Sequence, residues 1–186
     1  MSLLKRLPEL LYNFSSTPLD PDFLVVKNIW RRAQILTEFK SEIMLFTEIN
    51  VRDGEKPEDV ATRYYGNPFY NWTILIANDI TDYYKQWPRS TTQLQEYIAD
   101  KYDNSMATKH HVTTEVKNAN GDIIVPAGKI VASNFAISYY DGTNTVTANP
   151  VASITNAAYE FDLNAEKQRI QIIKPNMIED FVDAYY

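Results

Sequence analysis

Between Ile49 and Tyr102 the chain spells out a strand, a turn and three short helices, each with its own start or stop signal. Ile49 and Val51 precede Asp53-Gly54, a turn pair, because glycine accepts positive φ without a Cβ clash. Pro57 stands where a first helical residue should be, and Glu58 and Asp59 face the positive end of the helix dipole. Val60, Ala61 and Tyr64 recur at helical spacing, and Gly66 has the place of a left-handed cap. Asn67-Pro68 restarts a helix at once, with Phe69, Trp72, Leu75 and Ile76 expected as its apolar face. Helices of two or three turns cannot stand alone in water, so this pair must pack on each other and on the strand.

The next elements follow from equally local signals. Ser90 with Gln93 reads as a capping box, followed by Leu94, Ile98 and Tyr102 down one helical face. Asn120-Gly121 and Asp141-Gly142, each between β-rich runs, predict two hairpins, and residues 110–148 read as an antiparallel β-meander. That meander would serve as a contact surface or as a lid over the core. In the tail, Tyr159, Phe161 and Leu163 alternate as in a strand, although 156–169 also tolerates a helix. The alternation favours a hairpin turning near Asn164-Lys167. Arg169-Ile173 is the strongest strand signal of this half, and Lys174-Pro175 opens a last helix with Ile178, Phe181 and Val182 inward. At the other end, Leu7–Phe14 reads as a helical turn or two, and Phe23–Phe39 as a helix beyond Pro18 and Pro21. Such an arm would dock on another subunit or pack on the chain's own core. The expected fold class is α+β, divided as arm (1–43), module with third helix (44–104), meander (105–150) and closing strand and helix (151–186).

Composition narrows the function. A net charge of −6 opposes the counterion release on which nucleic-acid binding depends, and Lys5-Arg6 and Arg31-Arg32 are too short to reverse it. The absence of cysteine excludes disulfides, thiolate metal sites and a cysteine nucleophile, and suits a reducing cytoplasm. Leu7–Leu11, broken by Pro8 and Glu9, makes a poor signal peptide, and no run reaches membrane-spanning length. His110 and His111 are adjacent, so a strand points them to opposite faces and they do not share a metal. Asp79 and Asp82 read as helix-terminating residues before they read as cation ligands. Glu55, Glu58 and Asp59 are explained by a helix start rather than as glycosidase acids. With no phosphate loop, nucleophile elbow or zinc helix, the chain reads as a non-enzyme without cofactor or metal. Asn13-Phe14-Ser15 and Asn71-Trp72-Thr73 fit the glycosylation pattern by chance in that setting. Thirteen tyrosines instead suggest a contact surface.

A strand and two short helices opened by Asp53-Gly54 resemble the LysM module. In that family a second short strand follows; here its place is taken by the longer, aromatic Ile80–Pro88. Asp53-Gly54-Glu55, Tyr64-Tyr65-Gly66-Asn67-Pro68, Asn71-Trp72, Ala77-Asn78-Asp79 and Trp87-Pro88 resemble one LysM-like branch in particular. It is the baseplate wedge subunit of contractile-tailed bacteriophages, the family of the myovirus gene-53 product. Leu10-Leu11-Tyr12-Asn13, Asn28–Phe39 and Lys167–Val182 extend the resemblance, whereas 105–156 carries none.

The resemblance implies a virion structural protein, assembled in the host cytoplasm and present in multiple copies in a symmetric assembly. It implies partners among the other wedge subunits, including the gene-25-type sheath-initiator protein and the gene-6-type wedge protein. Tyr83, Tyr84 and Trp87 are the candidate contacts, because an aromatic loop at the end of a rigid module suits a hot spot; Trp87 suits a cover over the module's own core somewhat better, and Tyr84 less so. The alternative is a LysM-type protein binding N-acetylglucosamine polymers of peptidoglycan. Its groove would comprise Asp53, Gly54, Glu55 and Lys56 with Ile76, Ala77, Asn78 and Asp79.

Overall fold

The computed structural model describes residues 7–15, 22–29, 35 and 45–184. It is an α+β protein with antiparallel sheets, in two compact units: residues 1–88 with 167–186, and residues 89–166.

The centre of the first unit is a two-stranded sheet whose strands lie at opposite ends of the sequence. β3 (Phe46–Asn50) pairs antiparallel with β11 (Arg169–Ile173), so that Phe46 faces Ile173 and Ile49 faces Ile170. The ladder is lengthened at both ends, Lys174 N–H donating to Leu45 O and Val51 N–H to Gln168 O, each at 2.9 Å. Two helices cover this sheet. α1 (Pro57–Tyr65) begins where Asp59 Oδ2 accepts from Lys56 N–H at 3.0 Å, and ends on Gly66. Gly66 has φ 69°, the left-handed conformation that the preceding sequence requires of its cap. A 3-10 turn (Pro68–Tyr70), capped by Asn67 Oδ1, leads into α2 (Asn71–Ala77). Val60, Ala61, Ile74 and Ile172 are fully enclosed and form one core cluster with Trp87. At about 1.5–3 kcal/mol for each large aliphatic side chain, this cluster anchors the module. Trp72, Ile76 and Ile173 form the second, with Ile178 and Val182 of α6 (Ile178–Ala184), which follows a 3-10 turn at Pro175–Met177.

Two expectations are corrected in this unit. Phe69 does not join the inner face of α2; it is exposed, because the 3-10 turn rotates it outward and Trp72, Ile74 and Ile76 take the core positions. Ile80–Pro88, which has the place of the LysM-type second strand, contains the one-turn helix α3 (Tyr83–Gln86), and β3 takes β11 as its partner. The amino-terminal arm is not helical where it is described. β1 (Glu9–Asn13) and β2 (Phe23–Lys27) form an antiparallel hairpin. Val25, Val26, Phe23 and Tyr12 favour extended backbone, and Asn13 Oδ1 gathers the N–H groups of Ser15 and Asp22. The expected helix over 30–39 otherwise lies outside the described residues, except for the buried Ile35.

The second unit opens with α4 (Thr91–Lys101), where Ser90 Oγ accepts from Gln93 N–H and Gln93 Oε1 from Ser90 N–H, the expected capping box. The strands are β4 (Thr108–Thr113), β5 (Val116–Lys117), β6 (Ile123–Val125), β7 (Ile130–Val131), β8 (Ile137–Tyr140), β9 (Thr145–Ala148) and β10 (Val151–Thr155). Asn120-Gly121 and Asp141-Gly142 lie in the β5–β6 and β8–β9 connections, as expected of them. A simple meander does not result, because β4 is the middle strand of a sheet in the order β10-β4-β7. Thr113 fastens that arrangement: its hydroxyl donates to Pro126 O at 2.6 Å and accepts from Lys129 N–H at 3.0 Å. The expected hairpin over 156–169 is the helix α5 (Asn156–Gln168). Its buried members are Glu160 and Asn164, one turn apart, so a polar inner stripe concealed the helical period.

Candidate functional site

The aromatic loop after α2 is built on several cross-ties. Asn78 N–H, Asp79 N–H and Ile80 N–H take up the last carbonyls of α2, Ile80 reaching back to Leu75 O at 2.9 Å. Asp79 is left-handed at φ 55°, which fits the residue following a helix C-cap and turns the chain sharply. Gln86 Oε1 then accepts from both Thr81 N–H (2.7 Å) and Asp82 N–H (2.8 Å), drawing the loop into a ring. Asp82 caps α3 through Lys85 N–H and pairs with Lys85 Nζ at 3.1 Å. That hydrogen bond to Lys85 holds the Asp82 carboxyl below its ordinary range. Lys167 Nζ donates to Lys85 O at 2.7 Å and ties the loop to the carboxy-terminal segment of the same unit.

Upon this base the three candidate aromatics form a graded stack. Trp87 is 3% exposed; its indole N–H donates to Glu55 O at 2.9 Å, and its ring belongs to the core of the module. Tyr83 stacks on Trp87 with centroids 6.1 Å apart, and Tyr84 meets Tyr83 edge-on at 5.5 Å. Exposure rises along the series, to 37% at Tyr83 and 82% at Tyr84. Beside Tyr83 a shallow open depression is lined by Lys56, Pro57, Glu58 and Leu75. The arrangement presents a tyrosine ring and hydroxyl to solvent on backbone that is fixed from below.

The eight residues of the expected sugar groove are divided between surface and interior. Asp53, Gly54, Lys56 and Asp79 are exposed, but Ile76 and Ala77 lie in the core. Glu55 is taken by Arg63, with Oε1–Nε at 2.8 Å and Oε2–NH2 at 2.7 Å, and also accepts Arg52 N–H. Asn78 is taken by β11: its amide accepts from Gln171 N–H at 2.8 Å and donates to Gln171 O at 2.7 Å. A second donor bond to Ile74 O completes its set. Asn78 thus acts as a short stand-in strand along the edge of β11 not occupied by β3. The Ala77-Asn78-Asp79 signature was visible in sequence, but this clamp was not, since its partner lies 93 positions away.

In the second unit a comparable clamp joins Asn164 to both backbone groups of Arg89, at 2.8 and 3.0 Å. Glu160, also buried, accepts from Lys101 Nζ at 2.8 Å and Tyr102 OH at 2.7 Å. Burial pushes its carboxyl up, but these two bonds outweigh that and hold it below the usual range. His110 makes an edge-on contact with Tyr159, and its neighbour His111 lies on the opposite face of β4. Among the described residues no group of three or more histidines and acids is placed to hold a metal ion.

The first unit is thus a small module tied by side-chain clamps, with Tyr83 and Tyr84 of its aromatic loop reaching solvent. The family model described as base plate wedge protein 53, a phage family, matches residues 21–186, and the chain belongs to that family of structural tail baseplate proteins. No curated protein matches the chain.

Proposed function

We propose that the chain is a joining subunit of the baseplate wedge, a LysM-like scaffold that has turned from sugar to protein recognition. It binds neighbouring wedge proteins, with the gene-25-type sheath initiator and the gene-6-type wedge protein as its expected partners, and helps wedges associate during assembly in the host. The observation that carries this reading is Tyr84, exposed at the tip of a stack whose lowest ring, Trp87, is sealed into the core. Burying a fixed aromatic costs little side-chain entropy and removes a large apolar area from water, which is how interface hot spots work. Tyr83 and Tyr84 make the contact in this account, and Trp87 supports them. Replacing Tyr84 with alanine should weaken capture of co-expressed wedge proteins at least tenfold while leaving the melting temperature within about 1 °C, as for other surface substitutions. Equal loss of capture and stability would remove Tyr84 from the interface.

A further inference from the structure

The β1–β2 hairpin exposes apolar side chains on both of its faces, although Glu9, Lys27 and Asn13 share the face of Leu11. Residues directly opposite share a face, so Leu11, Val25 and Phe23 lie on one side and Tyr12, Leu24 and Phe14 on the other. Phe14 packs edge-on against Tyr12 at 4.8 Å. These six side chains, with Ile29 just beyond β2, are each between 51% and 67% exposed. At about 200 Å² for a fully exposed large side chain, they leave on the order of 800 Å² of apolar surface in water. Summed over both faces, that is about what one partner contributes to a standard interface. A two-stranded ribbon is also marginal in water without something packed upon it.

Two features select the occupant. First, the face that carries Glu9, Lys27 and Asn13 still exposes Leu11, Val25 and Phe23, so a flat surface under the other face would leave these three in water. A second copy of the ribbon stacked face to face would bury one side and leave the other wet. Second, the charges at the open end cancel, Glu9 pairing with Lys27 at 2.9 Å, so the ribbon offers no basic track for nucleic acid. We infer that the β1–β2 hairpin inserts into an apolar cleft of another protein of the same baseplate, which encloses it on both faces. This rests on the proposed role as a wedge-joining subunit, and it adds a second attachment separate from the Tyr84 corner.

The test uses the full chain, tagged and co-expressed with the other wedge proteins of the same tail. Hydrogen exchange over 7–15 and 22–29 should be fast in the free chain and slow by at least 100-fold in the wedge complex. Two paired variants, one per face, are Leu11→Asp with Val25→Asp, and Tyr12→Asp with Leu24→Asp. Each pair should lower co-purification at least tenfold, with the main unfolding transition shifted by less than about 2 °C. Retention by variants of one face would reduce the contact to a single side and overturn the cleft. A concentration-dependent dimer of the chain alone, abolished by either pair, would assign the ribbon to a second copy instead. Wild-type co-purification with unchanged exchange in the hairpin would sink the hairpin inference and leave the wedge role standing. No co-purification of the wild type would overturn the wedge role and this partner with it.

Discussion

Asn78→Ala tests how the module is closed. Asn78 makes two hydrogen bonds to the backbone of Gln171 and one to Ile74 O, all between 2.7 and 2.8 Å. Each is worth about 1 kcal/mol net, and the Gln171 groups lie at an exposed edge where water recovers part of the loss. The expected cost is therefore about 2 kcal/mol, or a fall of roughly 4–8 °C in melting temperature for a chain of this size. Asn78→Asp is the sharper variant. A carboxylate still accepts Gln171 N–H, but it faces Gln171 O and Ile74 O without a donor, so it should be at least as damaging as alanine at pH 7. Thermal unfolding by circular dichroism, together with amide exchange at Gln171, reads both effects. A shift below 1 °C for alanine, or wild-type stability for aspartate, would refute the clamp.

Two further substitutions probe features away from the interface. Glu160 titrates lower in the folded chain than its ordinary 4.5, so the unfolded chain binds more protons and the stabilisation, present above that value, fades as pH falls through the folded pKa. Glu160→Gln should flatten that acid limb of the stability curve while costing about 1–2 kcal/mol at pH 7; an unchanged limb would dismiss the Lys101–Glu160–Tyr102 group as its source. Gly66→Ala meets no atom within 4 Å, so its cost is the left-handed backbone alone, about 1 kcal/mol. A neutral result in a denaturant titration would show that the cap relaxes.

What could be read in advance was whatever is local. Pro57, Gly66, Asn67-Pro68, the Ser90–Gln93 box and the two glycine turns each act within a few residues, and each lies where its chemistry expected it. The closing strand Arg169–Ile173 was legible as a strand, but not its pairing with Phe46–Asn50, since no local rule links segments that far apart. The helix at Asn156–Gln168 was hidden because its inner stripe is Glu160 and Asn164, polar residues satisfied by partners that sequence does not reveal. The β1–β2 hairpin was misread because the unbroken apolar runs Leu10–Tyr12 and Phe23–Val26 have no period of two, and Val25 and Ile29 chanced to fall at helical spacing. At the aromatic corner, the loop itself was apparent. The lean of Trp87 toward the core and of Tyr84 toward solvent was legible too, whereas the stacking of Tyr83 on Trp87 was not.

The central claim is that this baseplate protein recognises proteins rather than sugar. The most direct measurement is size-exclusion chromatography of the tagged chain co-expressed with its wedge proteins, with and without chitin oligomers, beside co-sedimentation of the chain with insoluble peptidoglycan. The account predicts a stable complex that chitin leaves intact and that Tyr84→Ala weakens, with no retention on peptidoglycan. A chain that elutes alone and is held by peptidoglycan until chitin oligomers release it would contradict the account.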